Sequence, residues 1–128
     1  MGPRLRTLVL AIALCGVLVL PGVAVGSDDD REVRRSGTCT GSSSAVLRVE
    51  VDDDELELEL EIETRRTAGR WQAIVLHDRR TAFRGIVPQR SSRSVRLRRA
   101  LRNLYGRETI TVRASGPRAE TCRVSVSV

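Results

Sequence analysis

From Glu55 to Glu63 the chain reads Glu-Leu-Glu-Leu-Glu-Leu-Glu-Ile-Glu, a strict alternation of carboxylates and aliphatic side chains. Leucine and glutamate each favour helix when taken singly. A helix, however, would scatter Leu56, Leu58, Leu60 and Ile62 around its circumference. Only an extended strand gathers all four on one face and turns every carboxylate to the other. A fold built on this segment must cover one side of a sheet with apolar side chains and leave the other side in water.

The same period of two recurs along the chain. Ala45, Leu47, Val49 and Val51 share a face, while Val46, Arg48 and Glu50 share the opposite one. Asp52-Asp53-Asp54 then turns the chain into the Leu/Glu run, which makes a hairpin. Trp71 to His77 is apolar on both faces at Ile74-Val75-Leu76, so it belongs inside a sheet. Further strands are expected at Ala82–Val87 (ended by Pro88), Ser94–Arg98, Thr109–Ala114 and Cys122–Val128. Leu101 to Arg107 is a connection, with a helical turn from Arg98 to Tyr105 as an open alternative. Short strands spaced by roughly 8–14 residues, with turn signals such as Gly116-Pro117 between them, predict an all-β antiparallel seven-stranded β-sandwich.

A different pattern precedes these strands. Arg4 and Arg6 form a short positive region, Leu8 to Leu20 is uncharged and apolar, and Ala24-Val25-Gly26 offers small residues for cleavage. That is the three-part layout of a secretory signal peptide helix, here residues 1–26. The apolar run is about 13 residues, short of the roughly 20 that span a bilayer. An uncleaved anchor is the alternative; lipidation fits poorly because Cys15 lies mid-run behind Leu14. Residues 27–38, with Asp28-Asp29-Asp30 followed by Arg31, Arg34 and Arg35, are expected to be a disordered polar spacer. Residues 39–128 are the folded domain, and the expected location is secreted or extracellular.

Removing the leader takes Cys15 away and leaves Cys39 and Cys122. An even pair in an exported chain reads as a disulfide, with two buried thiols as the alternative. The bond would close a loop of about 84 residues and destabilise the unfolded chain by on the order of 4–5 kcal/mol.

With Trp71 on the third expected strand, residues 39–128 resemble the immunoglobulin-like and fibronectin type III-like superfold, where a buried tryptophan often occupies that strand. The resemblance is one of architecture. The cysteines depart from the antibody pattern, because Cys39 precedes the first expected strand and Cys122 lies in the last. The order of signal, early cysteine, mid-chain tryptophan and late cysteine is also similar to small secreted actinobacterial domains, a resemblance that implies no activity.

All 22 basic residues are arginine. Total absence of lysine fits a GC-rich genome, so arginine richness alone is no functional signal. Without Arg4 and Arg6, 20 arginines face 16 acidic residues, a modest net charge of +4. Trp71, Phe83 and Tyr105 are the only aromatic residues, too few for a surface that stacks bases or sugar rings.

Candidate chemistry is sparse. His77 is the only histidine; with no G-x-S-x-G stretch beside it, it reads as a surface histidine rather than a catalytic base. One histidine and two bonded cysteines cannot supply a zinc site. Asp52-Asp53-Asp54-Glu55 is consecutive, whereas calcium loops alternate their ligands, so it reads as a solvated turn. A glycosidase-like pair within the Glu row would lie on a flat face without a cleft. No catalytic, cofactor-binding or metal residue is therefore assigned, no cofactor is implied, and an enzyme is not expected.

Arg90, Arg93, Arg96, Arg98, Arg99 and Arg102 form the densest basic stretch. If their strand neighbours the Glu row, cross-strand ion pairs will consume them. If not, they offer a surface to an extracellular protein or an anionic cell-envelope polymer. Specific nucleic acid binding is not expected, and membrane contact is limited to the signal peptide before cleavage. The expected function is a secreted non-catalytic β-sandwich domain, an extracellular or cell-envelope interaction or structural module. The alternative is an inhibitor of an extracellular protease that presents the loop Gly85–Arg93, braced by Pro88.

Overall fold

The computed structural model describes residues 31–128. The signal peptide, its cleavage site and Asp28-Asp29-Asp30 lie outside the described residues. The chain runs β1 (Arg31–Ser36), β2 (Thr38–Cys39), β3 (Ser44–Val51), β4 (Glu55–Glu63), β5 (Trp71–His77), β6 (Arg80–Val87), β7 (Gln89–Ser91), β8 (Ser94–Arg102), β9 (Thr109–Ser115) and β10 (Thr121–Ser127). A front sheet has the order β1-β3-β4-β8-β7 and a back sheet the order β2-β10-β9-β5-β6. Neighbouring strands pair antiparallel throughout both sheets.

The all-β expectation holds, with ten strands instead of seven. The three additions are β1, β2 and β7, none of which carries an alternating apolar pattern. β1 lies in the segment expected to be a disordered spacer. It is instead zipped along β3 from Arg31↔Val51 to Ser36↔Val46, and Val33 packs against the core. An edge strand needs only one neighbour's backbone groups, so a mostly polar sequence suffices. β8 continues to Arg102, which replaces the possible helical turn with strand.

The Leu/Glu alternation does what its period requires. Leu56, Leu58, Leu60 and Ile62 are buried between the sheets, with Leu47, Val49, Val95 and Leu97 beside them. Trp71, Ala73, Val75, Ile110, Val112, Ala114, Val124 and Val126 close the core from the back sheet. Each fully buried aliphatic side chain contributes about 1.5–3 kcal/mol. Trp71 is wholly enclosed, and its Nε1–H donates to the Ala68 carbonyl at 2.8 Å. Its ring lies against Gly116, where an added Cβ would come 2.4 Å from Trp71 Cε2; only glycine leaves that room.

Cys39 and Cys122 stand directly opposite one another on β2 and β10, disulfide-bonded, with their Cα atoms 4.0 Å apart. The staple lies within the back sheet and does not bridge the layers. Cys39 also follows β1, and so does not precede every strand as the sequence suggested.

Candidate functional site

The outer faces of the two sheets differ in how they handle charge. On the front sheet, β4 lies between β3 and β8, so three of its five glutamates stand opposite arginines, Glu55↔Arg102, Glu59↔Arg98 and Glu61↔Arg96, while Glu57 and Glu63 face Ala100 and Ser94. Glu59 takes Arg98 Nε at 3.0 Å and Arg96 Nε at 3.5 Å. Glu61 takes Arg90 at 2.7 Å and Arg96 at 3.1 Å. Burial by itself would push the Glu61 carboxyl up, but the hydrogen bonds and charges of Arg96 and Arg90 outweigh it and hold the group below the usual carboxylate range. Some rows repeat a sign, as Glu32, Glu50 and Glu57 do. Opposite charge then arrives from the next row, where Arg48 reaches Glu32 at 3.2 Å.

The six arginines singled out in the sequence are therefore not one open surface. Arg90, Arg96 and Arg98 are tied to glutamates. Arg99 stands opposite Leu58, at a position whose neighbours point inward. Its guanidinium escapes the core by lying over the Phe83 ring, 4.1 Å from the centroid. Among the described residues, Arg93 and Arg102 make no ion pair. Nor is Gly85–Arg93 a projecting loop: it is the end of β6, then β7 paired to β8 through Gln89↔Val95 and Ser91↔Ser94, then a tight turn.

The back sheet is the reverse case. Its five strands contain no aspartate or glutamate. Register places Arg123 opposite Arg113, Arg113 opposite Ile74, and Ile74 opposite Arg84. These side chains all point outward, because the alternate positions Val124, Val112, Val75 and Phe83 face the core. The result is a transverse row of arginines spanning three strand spacings, about 14 Å. Among the described residues, none of Arg84, Arg113 and Arg123 makes an ion pair. The adjoining row is hydroxylic, with Thr111 Oγ1 and Ser125 Oγ 2.9 Å apart. Leu76, Arg79, Thr111, Arg113, Arg123 and Ser125 line a shallow depression of about 490 Å³ here. The carboxylate at its end, Asp78, already accepts the Thr109 N–H at 2.8 Å. Sequence reasoning passed over these arginines because they lie far apart in the chain and only strand register brings them together.

His77 is not the surface residue its position suggested. Its side chain is 10% exposed and its Nε2 lies 2.8 Å from Oε1 of Glu108, itself 3% exposed. The same Glu108 oxygen accepts the Leu104 N–H at 2.8 Å, and the Glu108 backbone pairs with Val128 in both directions. His77, Asp78 and Glu108 thus come together, with Glu108 Oε1 and Asp78 Oδ1 already serving as acceptors. The arrangement clasps the connection after β8 and the chain's last residue to the end of β5. The acidic turn before β4 is likewise engaged: Asp52 N–H donates to the Glu55 carbonyl at 2.9 Å, and Tyr105 Oη donates to Asp54 at 3.1 Å.

No family model matches the chain, and no curated protein or solved structure matches it either.

Proposed function

We propose that the chain is an exported, non-catalytic interaction module of immunoglobulin-like type, and that it binds an anionic cell-envelope polymer through the outer face of its back sheet. The strand order supports the type. β3-β4-β8-β7 packed on β10-β9-β5-β6 follows the A-B-E-D and G-F-C orders of such sandwiches, with the buried tryptophan on the equivalent of strand C. Exported context comes from the leader pattern of residues 1–26, which also makes the Cys39–Cys122 staple chemically sensible.

One observation carries the binding reading: Arg113 and Arg123 are direct cross-strand partners, and among the described residues neither makes an ion pair. Like charges placed so cost stability. A polymer carrying regularly spaced phosphates turns that cost into attraction, while guanidinium forks and the neighbouring hydroxyls supply hydrogen bonds. On the front sheet an anion approaching Arg48, Arg90, Arg96 or Arg98 would have to displace a glutamate. The inhibitor reading draws nothing from residues 85–93, which are strand and tight turn.

The test is titration of the folded protein with polyphosphate at several salt concentrations. Binding should weaken steeply as salt rises, since each arginine–phosphate contact releases counterions. An Arg113→Ser/Arg123→Ser double variant should lose binding, and an Arg96→Ser/Arg98→Ser variant should keep it. Absence of binding at low salt, or the opposite ranking of the two variants, overturns the assignment.

A further inference from the structure

The sandwich is open along one side. β7 covers β8 only at Ser94 and Val95, so among the described residues β8 from Leu97 onward has β4 as its single partner. Below it runs β6, which among the described residues is an edge of the back sheet paired only with β5. The two edges approach each other where Arg99 lies on Phe83. Between them is a groove of about 580 Å³, floored by Phe83, Gly85 and Leu97 and walled by Ile86, Pro88 and Arg99. Phe83 folds across Gly85, where a Cβ would stand 2.8 Å from Cζ, so glycine lets the ring lie flat as the groove floor.

The other three edges are poor templates. β2 has two residues and β7 has three. β1 has six, but mixes Arg31, Arg34 and Arg35 with Glu32. β6 has eight residues, and its Ile86 is 50% exposed. Its outward backbone groups can be assigned. Asp78 N–H donates to Thr109 on β9, so alternation turns Trp71, Ala73 and Val75 of β5 toward β6. Their partners Val87, Gly85 and Phe83 use their N–H and C=O groups inward. Arg84 and Ile86 are left with theirs facing outward.

We propose that this edge is a docking site for an extended segment of a partner protein whose residues alternate between apolar and acidic. The segment adds a sixth strand to the back sheet beside β6. Main-chain hydrogen bonds to Arg84 and Ile86 fix its register, and alternate side chains choose their environments. Those turned inward meet the apolar floor of Phe83 and Leu97. Those turned outward meet Arg84, with Arg80 farther along the strand. Neither β6 nor β8 contains a carboxylate; Arg96 and Arg98 are already held by Glu59 and Glu61, so the charge an acidic strand meets along this edge is that of Arg80 and Arg84 on β6 and of Arg99 over Phe83. The molecule already holds one such arrangement: β4, alternating leucine and glutamate, is the strand that lies along arginine-bearing β8. A second copy pairing β6 with β6 is a worse occupant, since it would set Arg80 and Arg84 of each strand against those of the other without an acid between them. This site touches the arginine row only at Arg84, the row's end on β6, and does not depend on Arg113 or Arg123.

The experiment titrates the folded protein with a short alternating valine–glutamate peptide and follows its amide resonances. Saturable binding is expected, with new exchange protection at Arg84 and Ile86. An Ile86→Pro variant should lose binding with its melting curve unchanged, because that N–H faces solvent and proline is tolerated at such edge positions. If Ile86→Pro fails to fold, the same peptide methylated on alternate backbone nitrogens replaces it and should fail to bind the wild-type protein. A valine–arginine peptide should not bind. The proposal is overturned if the valine–glutamate peptide does not bind, if backbone methylation leaves affinity intact, or if Arg113→Ser/Arg123→Ser abolishes binding while Ile86→Pro does not. It is also overturned if sedimentation shows a dimer that Ile86→Pro dissolves, since the edge would then serve self-association.

Discussion

The two outer faces of this sandwich both carry arginines and treat them in opposite ways. The front face carries seven strand glutamates, from β1, β3 and β4, interleaved with arginines. Glu32, Glu59 and Glu61 are ion-paired to Arg48, Arg90, Arg96 and Arg98. The back face has arginines and hydroxyls but no acid on any of its five strands. Individual exposed ion pairs contribute little, so the front ladder is better seen as setting which strands neighbour each other than as a large source of stability. The back sheet holds repulsion instead, and its covalent staple lies immediately beside it: Cys122 precedes Arg123, and Cys39 pairs with Cys122 as Thr38 pairs with Arg123. A fold that keeps like charges apart from their counterions needs some other contribution to hold that sheet, and the disulfide and Trp71 supply it.

The largest expected effect tests that assignment. Reducing Cys39–Cys122, or replacing both cysteines with serine, should destabilise by on the order of 4–5 kcal/mol from chain entropy alone. The comparison sharpens if the loss is smaller in high salt, where the repulsion beside the staple is screened. A melting curve indifferent to reductant breaks it. Second in size is Leu58→Ala, expected to cost about 2–5 kcal/mol because the side chain is buried and the cavity cannot collapse between two sheets. Thermal or urea unfolding measures it, and a near-zero change would mean that the front sheet is held by its surface after all.

Much of this architecture was legible in the sequence because it depends on periods. Alternation at Leu56–Ile62, Ala45–Val51 and Cys122–Val128 sets the faces, and Cys39 and Cys122, the two cysteines outside the apolar leader pattern, mark the staple. What was not legible depends on register or on single neighbours. β1 carries only one apolar residue, Val33, so no period marks it. The arginine row exists only because β9 and β10 pair Arg113 with Arg123 rather than with a neighbour one residue away. Glu108 and His77 are 31 residues apart, and nothing in either local sequence announces that one will bury itself to meet the other. The arginines of β8 misled for the converse reason. A basic run looks like a binding surface until one knows that β4 lies beside it.

A smaller effect addresses the front ladder. Glu61→Gln should cost about 0.5–1 kcal/mol at neutral pH. Its carboxyl is held below the ordinary range in the folded protein, so its contribution is complete above the unfolded carboxylate value of about 4.3 and fades as pH falls through the lower folded value. Wild type and Glu61→Gln should therefore converge in acid. A gap that persists at low pH would point to packing rather than charge.

The smallest effect has the most diagnostic sign. Replacing Arg113 with threonine removes one partner of the Arg113–Arg123 pair and puts a strand-favouring residue in its place. Relief of like charge opposite like charge is worth a few tenths of a kcal/mol up to about 1, so Arg113→Thr should melt slightly above wild type at low salt and match it in high salt. The equivalent change on the front face, Arg98→Thr, should move the other way, because it strips Glu59 of its 3.0 Å partner. Opposite signs from chemically identical substitutions would establish that the back face holds its charge at a cost. If both variants are destabilised, Arg113 is earning its place through the contact of its stem with Ile74, and the face is ordinary surface.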